Sequence, residues 1–126
     1  MKIQKSSEDY LEMILMLKEN KGYARSIDIA EALSVTKPSV SYATKRLREN
    51  GYIAMDADGL ITLTDAGHEI ALRMLNRHRM LTAFLVSIGV DEETAREDAC
   101  KIEHDISDKS FDAMCRHANY VSKPEK

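Results

Sequence analysis

Cysteine is scarce in this 126-residue chain, and long apolar runs are missing from it. Two cysteines, Cys100 and Cys115, are too few for a disulfide framework and point to a reducing cytoplasm. No segment approaches the roughly 18–20 apolar residues of a membrane span. The opening MKIQKSSEDY lacks the apolar core of a signal peptide. A cytoplasmic protein without a membrane partner is therefore expected. A basic excess is lacking too: 18 Lys and Arg stand against 21 Asp and Glu, a formal charge of −3. Taken over the whole chain, that balance argues against nucleic acid. Its distribution argues the other way, because Lys37, Lys45, Arg46 and Arg48 crowd into residues 36–50 with Glu49 the only acid among them. There is no internal repeat and no low-complexity segment apart from a polar tail, Ser122–Lys126. The length suffices for one buried core or two small ones.

Along the chain, the pattern predicts a helix from Ser7, its expected cap, to Gly22, with Tyr10, Leu11, Ile14, Leu15 and Leu17 as the apolar face. Ser26 is expected to cap a short helix, Ile27 to Leu33. Thr36 is expected to cap a third, with Pro38 tolerated in its first turn and Val40, Ala43 and Leu47 as its buried stripe. Two short helices joined by a tight turn, the second with a basic polar face, read as a helix-turn-helix. Short strands at 52–55 and 60–63, separated by a turn cluster ending in Gly59, make it a winged helix. Thr64 is expected to open a long helix to Ile88, Asp91 to cap the next, and Ser107 to cap a last one. The fold class is thus mostly α: a winged helix-turn-helix domain over residues 1–71, then an all-helical dimerisation domain over 72–126. The second half has more apolar residues than so thin a segment can bury alone. Phe84, Leu85, Ile88, Ile106, Phe111 and Met114 are accordingly expected in its core or in a homodimer interface.

The most chemical stretch is Cys100-x-x-Glu103-His104. On a helix these residues would share a sector of roughly 100° and gather a thiol, a carboxylate and an imidazole, all ligands for divalent transition metals. Three ligands make half a site. Asp9 and Glu12, three apart on the first helix, and His78, in the middle of the long one, are candidates for the rest. Against this stands the plainer reading of a solvated helix face with a small apolar cysteine. His68 and His117 are expected to be surface residues, and Cys115 a core or interface residue.

The stretches SSEDYLEMI, GYARSIDIAEALSV, SVSYATKRLRENGYI, LTDAGHEIA, NRHRML, IGVDEE and CKIEHDISD resemble the diphtheria toxin repressor family of metal-dependent bacterial repressors, in its short form like the manganese transport regulators. The resemblance runs to about Asp112. It implies a winged-helix domain, a helical dimerisation domain, and a divalent metal bound between the first helix and the dimerisation domain. From the manganese branch it implies ligands at Asp9, Glu12, His78, Glu103 and His104. Cys100 stands where that branch has glutamate and where the iron branch has cysteine. The iron branch's ancillary ligands fall on Thr82 and Arg96, neither of which can serve. Cys100 therefore completes a hybrid set.

The resemblance also implies the function: a repressor of manganese or iron homeostasis genes, activated by Fe2+ or Mn2+, with Co2+ and Zn2+ as substitutes in vitro. A cation would neutralise mutually repelling carboxylates and lock a dimer onto a palindromic duplex, whose half-sites lie about 34–36 Å apart. Thr36, Ser39, Ser41 and Tyr42 are candidates for base edges, and Lys37, Lys45 and Arg48 for phosphates. A metallohydrolase would use the same ligand types but needs a substrate cleft and a general base, so no enzyme is expected. A winged-helix repressor sensing an organic ligand would leave the carboxylate, thiol and imidazole groups unexplained.

Overall fold

A computed structural model describes residues 4–122, with the side chains of 119–122 left aside; most of the polar tail lies outside these residues. The chain divides into two compact units, Met1–Met74 and Leu75–Lys126.

In the first unit, α1 (Lys5–Lys21) begins at Gln4, whose side chain makes no capping bond, and stops at Gly22 in the left-handed region, φ 89°. Ser7 lies inside the first turn rather than capping it, because the helical bond from the Glu8 N–H to the Gln4 carbonyl is already made at 3.0 Å. α2 (Ser26–Leu33) likewise takes Ser26 into the helix and leaves Arg25 at the cap position. The turn after α2 closes with Ser34 left-handed at φ 56° and the Val35 N–H donating to the Ala30 carbonyl at 3.0 Å. At α3 (Lys37–Glu49) the expected cap is present: the Thr36 hydroxyl oxygen accepts from the Ser39 N–H at 3.2 Å.

The three helices pack on one another around Leu11, Ile14, Ile29, Val40 and Leu47. Ala43 is only half-buried, and Thr44 joins Val40 and Leu47 inside in its stead. The spacing i, i+4, i+7 accounts for this, and the Thr44 hydroxyl is satisfied by donating to the Val40 carbonyl at 2.8 Å.

β1 (Ile53–Met55) and β2 (Ile61–Leu63) form an antiparallel hairpin with Ile53 opposite Leu63 and Met55 opposite Ile61. Asp56 shapes the turn between them, its carboxylate accepting from the N–H groups of Asp58 and Leu60, both at 2.9 Å. The hairpin is tied to the helices at two points. The Ile61 N–H donates to the Ala24 carbonyl at 2.9 Å, and the Arg25 guanidinium donates to the Asp58 carbonyl at 2.8 Å. The hairpin then leads into α4 (Asp65–Ser87) through Thr64, which donates to the Gly51 carbonyl at 2.7 Å and caps the Gly67 N–H at 3.2 Å. A Cβ on Gly67 would stand 2.0 Å from the Tyr52 carbonyl oxygen, so this first turn of α4 admits only glycine without backbone movement.

The division between the units falls inside α4, as does the expected boundary at residues 71 and 72. In the second unit, α4 ends before Gly89, left-handed at φ 109°. α5 (Glu92–Ile102) is capped by Asp91, whose carboxylate accepts from the Thr94 N–H at 3.0 Å; that bond holds the Asp91 carboxyl below the usual carboxylate range. α6 (Asp108–Ser122) follows Ser107, whose hydroxyl caps the Ser110 N–H at 3.1 Å. Leu75, Leu81, Ala95 and Ala99 are buried here, while Phe84, Leu85, Ile106, Phe111 and Met114 are half-buried and Ile88 is 62% exposed.

Candidate metal centre

The expectation that Cys100, Glu103 and His104 share one helix is corrected by the structure. α5 ends at Ile102, so only Cys100 is helical; Glu103 is the residue that closes the helix and His104 lies in the turn beyond it. The Glu103 N–H still bonds to the Ala99 carbonyl at 2.9 Å, which keeps Glu103 on the Cys100 side. The chain then tightens, with the Asp105 and Ile106 N–H groups both reaching the Ile102 carbonyl.

This turn holds a fully buried carboxylate between two imidazoles. Glu103 Oε1 lies 3.0 Å from His78 Nδ1 on α4, and Glu103 Oε2 lies 3.3 Å from His104 Nε2. The Glu103 and His104 side chains are 0% and 1% exposed, and His78 is 21% exposed. His78, Cys100 and Glu103 each offer a ligand atom within 4.8 Å of the other two. A thiol, an imidazole and a buried carboxylate so gathered suit a divalent transition metal, and burial of the carboxylate demands such compensation.

Arg77, one residue before His78, was not anticipated from sequence. It is buried, and its guanidinium donates to the carbonyls of Glu103 at 2.8 Å and Ile106 at 3.0 Å, pairs with Asp108, and lies 5.2 Å from the centre of the Phe111 ring. It thus satisfies the carbonyl of the residue that closes α5 and a second one further along the turn, bracing the segment that bears Glu103 and His104. The available signal was its register: Met74 and Leu81, at i−3 and i+4, are both buried, which places Arg77 on the inward stripe.

Thr82 and Arg96 supply no further ligand. The Thr82 hydroxyl donates to the His78 carbonyl at 2.7 Å, and Arg96 is paired with Glu92. Both line a groove of about 580 Å³ with His78, Arg79, Ala83 and Val86. His68 and His117 are exposed, the latter edge-on to Phe84. Burial pushes the half-buried Cys115 thiol up.

In the first unit, Asp9 and Glu12 stand three apart on α1, Asp9 half-buried and Glu12 buried. Thr36, at the N-cap of α3, and Lys37, Ser39, Ser41, Tyr42, Lys45 and Arg48 along it are all exposed. Tyr42 is 65% exposed, with the Arg46 guanidinium 5.7 Å from its ring centre. Thr36 and Ser39 are partly engaged with each other, the Thr36 hydroxyl donating to Ser39 Oγ at 2.9 Å.

A helix-turn-helix with a wing, joined to a helical unit that gathers metal ligands, defines the class of metal-responsive DNA-binding regulators. Comparison with known proteins makes the assignment narrower. Residues 2–59 match the N-terminal DNA-binding domain of the iron-dependent repressors, and residues 64–125 match their metal-binding and dimerisation domain. The chain is 45% identical to the HTH-type transcriptional regulator MntR of Bacillus subtilis (strain 168), over 95% of this chain and 84% of that protein. It is 30% identical to the manganese regulator SloR, with a TM-score of 0.80 over 95% of this chain. It is 29% identical to a manganese-dependent transcriptional repressor solved in complex with manganese, with a TM-score of 0.83 over 90% of this chain. It spans 55% and 53% of the length of those two structures. The chain belongs to the iron-dependent repressor family, and with it is a metal-dependent DNA-binding repressor of metal homeostasis. The relatives compared are transcriptional regulators, and no helix among the described residues is long and apolar enough to cross a membrane.

Proposed function

We propose that Fe2+ or Mn2+, held by Asp9, Glu12, His78, Cys100, Glu103 and His104, switches this repressor into its operator-binding state. The observation that carries the reading is the gathering of the His78, Cys100 and Glu103 ligand atoms around a carboxylate with no solvent exposure. When bound, the cation would neutralise the carboxylates among these ligands. Residues 1–71 read DNA and residues 72–126 carry dimerisation, through Phe84, Leu85, Ile88, Ile106, Phe111 and Met114. The exposure of Ile88 and half-burial of the others support that surface. Two copies then meet a palindromic duplex in the cytoplasm, each presenting one α3 to a major groove.

At the cap of α3 and along it, Thr36, Ser39, Ser41 and Tyr42 face base edges, while Lys37, Lys45 and Arg48 hold phosphates. Lys45→Ala is expected to weaken binding to all sequences alike and to flatten the salt dependence by about one unit of slope. A salt titration checks this, and an unchanged slope would remove Lys45 from the phosphate contacts.

Cys100 sets the metal preference, because a thiolate is a softer ligand than the carboxylate the manganese branch has there, and Mn2+ is the weakest binder of the divalent series. Anaerobic titration of operator binding should show both metals activating, Fe2+ at the lower free concentration. Cys100→Glu should shift the order toward Mn2+. The same ranking in both proteins would leave Cys100 with a structural role only.

A further inference from the structure

We propose that Arg46 reads a base from α3, its guanidinium donating to O6 and N7 of a guanine in the major groove, with Tyr42 as the residue that positions it. The proposal deepens the reading above and rests on it for the placement of α3 in a major groove. Of the basic side chains within residues 36–50, Lys37, Lys45, Arg46 and Arg48, Arg46 is the one stacked on an aromatic ring. Its guanidinium carbon lies 5.7 Å from the centre of the Tyr42 ring. Both side chains are exposed, so the stack stands in solvent and covers nothing of the core. Among the described residues Arg46 makes no ion pair, which leaves its N–H groups to a ligand.

The register of α3 gives the pair its direction. Val40, Thr44 and Leu47 form the buried stripe. At roughly 100° per residue, Tyr42 points about 140–160° away from each of these three, straight out from the core. Ser39, Tyr42 and Arg46, at i, i+3 and i+7, make one outward stripe, with Arg46 about 40° round from Tyr42. Lys37 and Arg48 lie more than about 100° from Tyr42, on the flanks of the helix. Flank positions suit phosphates, and the outward stripe suits base edges. Helical side chains lean toward the N-terminus of their helix, which carries the long Arg46 side chain over Tyr42 and toward the end of α3 that meets bases in a helix-turn-helix. A guanidinium is a planar fork that matches the paired acceptors O6 and N7, and guanine alone presents that pair in the major groove. Stacking on Tyr42 restrains the fork before DNA arrives, so less rotamer freedom is lost on binding.

Duplexes selected from a random library by the full chain, loaded anaerobically with Fe2+ or Mn2+, supply the probe. Wild type should select sites with a fixed guanine in each half. Exchange of that guanine for 7-deazaguanine, which lacks the N7 acceptor, should weaken binding at least about fivefold, the low end of what a bidentate pair contributes. Inosine, which keeps O6 and N7, should bind like guanine. In Arg46→Ala, an exposed helical position that alanine suits, the guanine and 7-deazaguanine duplexes should bind within about twofold of each other, as for groups that do not interact. Tyr42→Phe should keep the discrimination and Tyr42→Leu should narrow it, a split that a role in folding alone would not produce. A selected site without a fixed guanine, or equal discrimination in wild type and Arg46→Ala, would overturn the proposal. So would an Arg46→Ala that weakens all duplexes alike and flattens the salt dependence by about one unit of slope, which would make Arg46 a phosphate contact and leave α3 in its groove. Metal-loaded wild type that selects no sequence at all would overturn the placement of α3 and the proposal together.

Discussion

Glu103→Ala is expected to abolish metal-dependent operator binding while leaving the helical content of the chain unchanged. Glu103 is the carboxylate that both His78 and His104 approach, at 3.0 Å and 3.3 Å, and it has no solvent exposure. Its removal takes the negative charge away with the side chain, so no unpaired buried charge is left behind to unfold the turn. A cation would lose the ligand that holds the two imidazoles in one place. The affinity for operator in the presence of metal should then fall to the level of non-specific DNA, a loss of about a thousandfold or more. His78→Ala, at a position 21% exposed, should give the same loss with less disturbance of the interior. Fluorescence anisotropy on a labelled operator, with circular dichroism as the control for folding, reads both effects. Near-native operator affinity in either variant would remove that residue from the metal centre.

The second large effect is expected at Arg77. Its side chain donates to the Glu103 and Ile106 carbonyls, pairs with Asp108 and packs over Phe111. Arg77→Ala strands the Glu103 carbonyl in the interior and frees the turn that presents Glu103 and His104. Charge-assisted hydrogen bonds of this kind contribute about 1.5–3 kcal/mol each, and Asp108 is too exposed for its pairing to add much. A loss of about 2–4 kcal/mol is expected for the substitution as a whole, within the range of buried-network disruptions. Thermal denaturation measures it directly. Metal affinity should drop as well, because ligands on a loosened turn must be ordered by the cation itself. A stability within about 0.5 kcal/mol of wild type, the range of ordinary surface substitutions, would show that the turn stands without Arg77.

Much of the fold was legible because local chemistry and global packing agree in it. Thr36, Thr64, Asp91 and Ser107 cap as their residue types suggest, and Gly22 and Gly89 end helices in the left-handed region that glycine favours. The hairpin followed from two short apolar runs around an Asp-Gly turn. The departures have physical causes. Ser7 and Ser26 are good caps, yet α1 starts earlier and α2 takes Ser26 into its first turn without any side-chain cap at Gln4 or Arg25.

The candidate metal residues were legible as residue types, but their geometry was not. A C-x-x-E-H spacing reads as one helical face, whereas α5 ends at Ile102 and the turn carries Glu103 and His104. Beyond it a tertiary interaction holds the turn: Arg77 donates to the carbonyls of Glu103 and Ile106, 26 and 29 residues away in sequence. No local pattern encodes a partner at that separation. Gly67 is similar, since only the approach of the Tyr52 carbonyl explains a glycine in the first turn of a helix.

If a divalent metal switches DNA binding, operator affinity must differ with and without that metal. Wild-type protein equilibrated anaerobically with Fe2+ or Mn2+ should bind a palindromic operator about a thousandfold or more tighter than the same protein in excess chelator, at one fixed salt concentration. Equal operator affinity in metal and in chelator would show that the metal does not switch DNA binding.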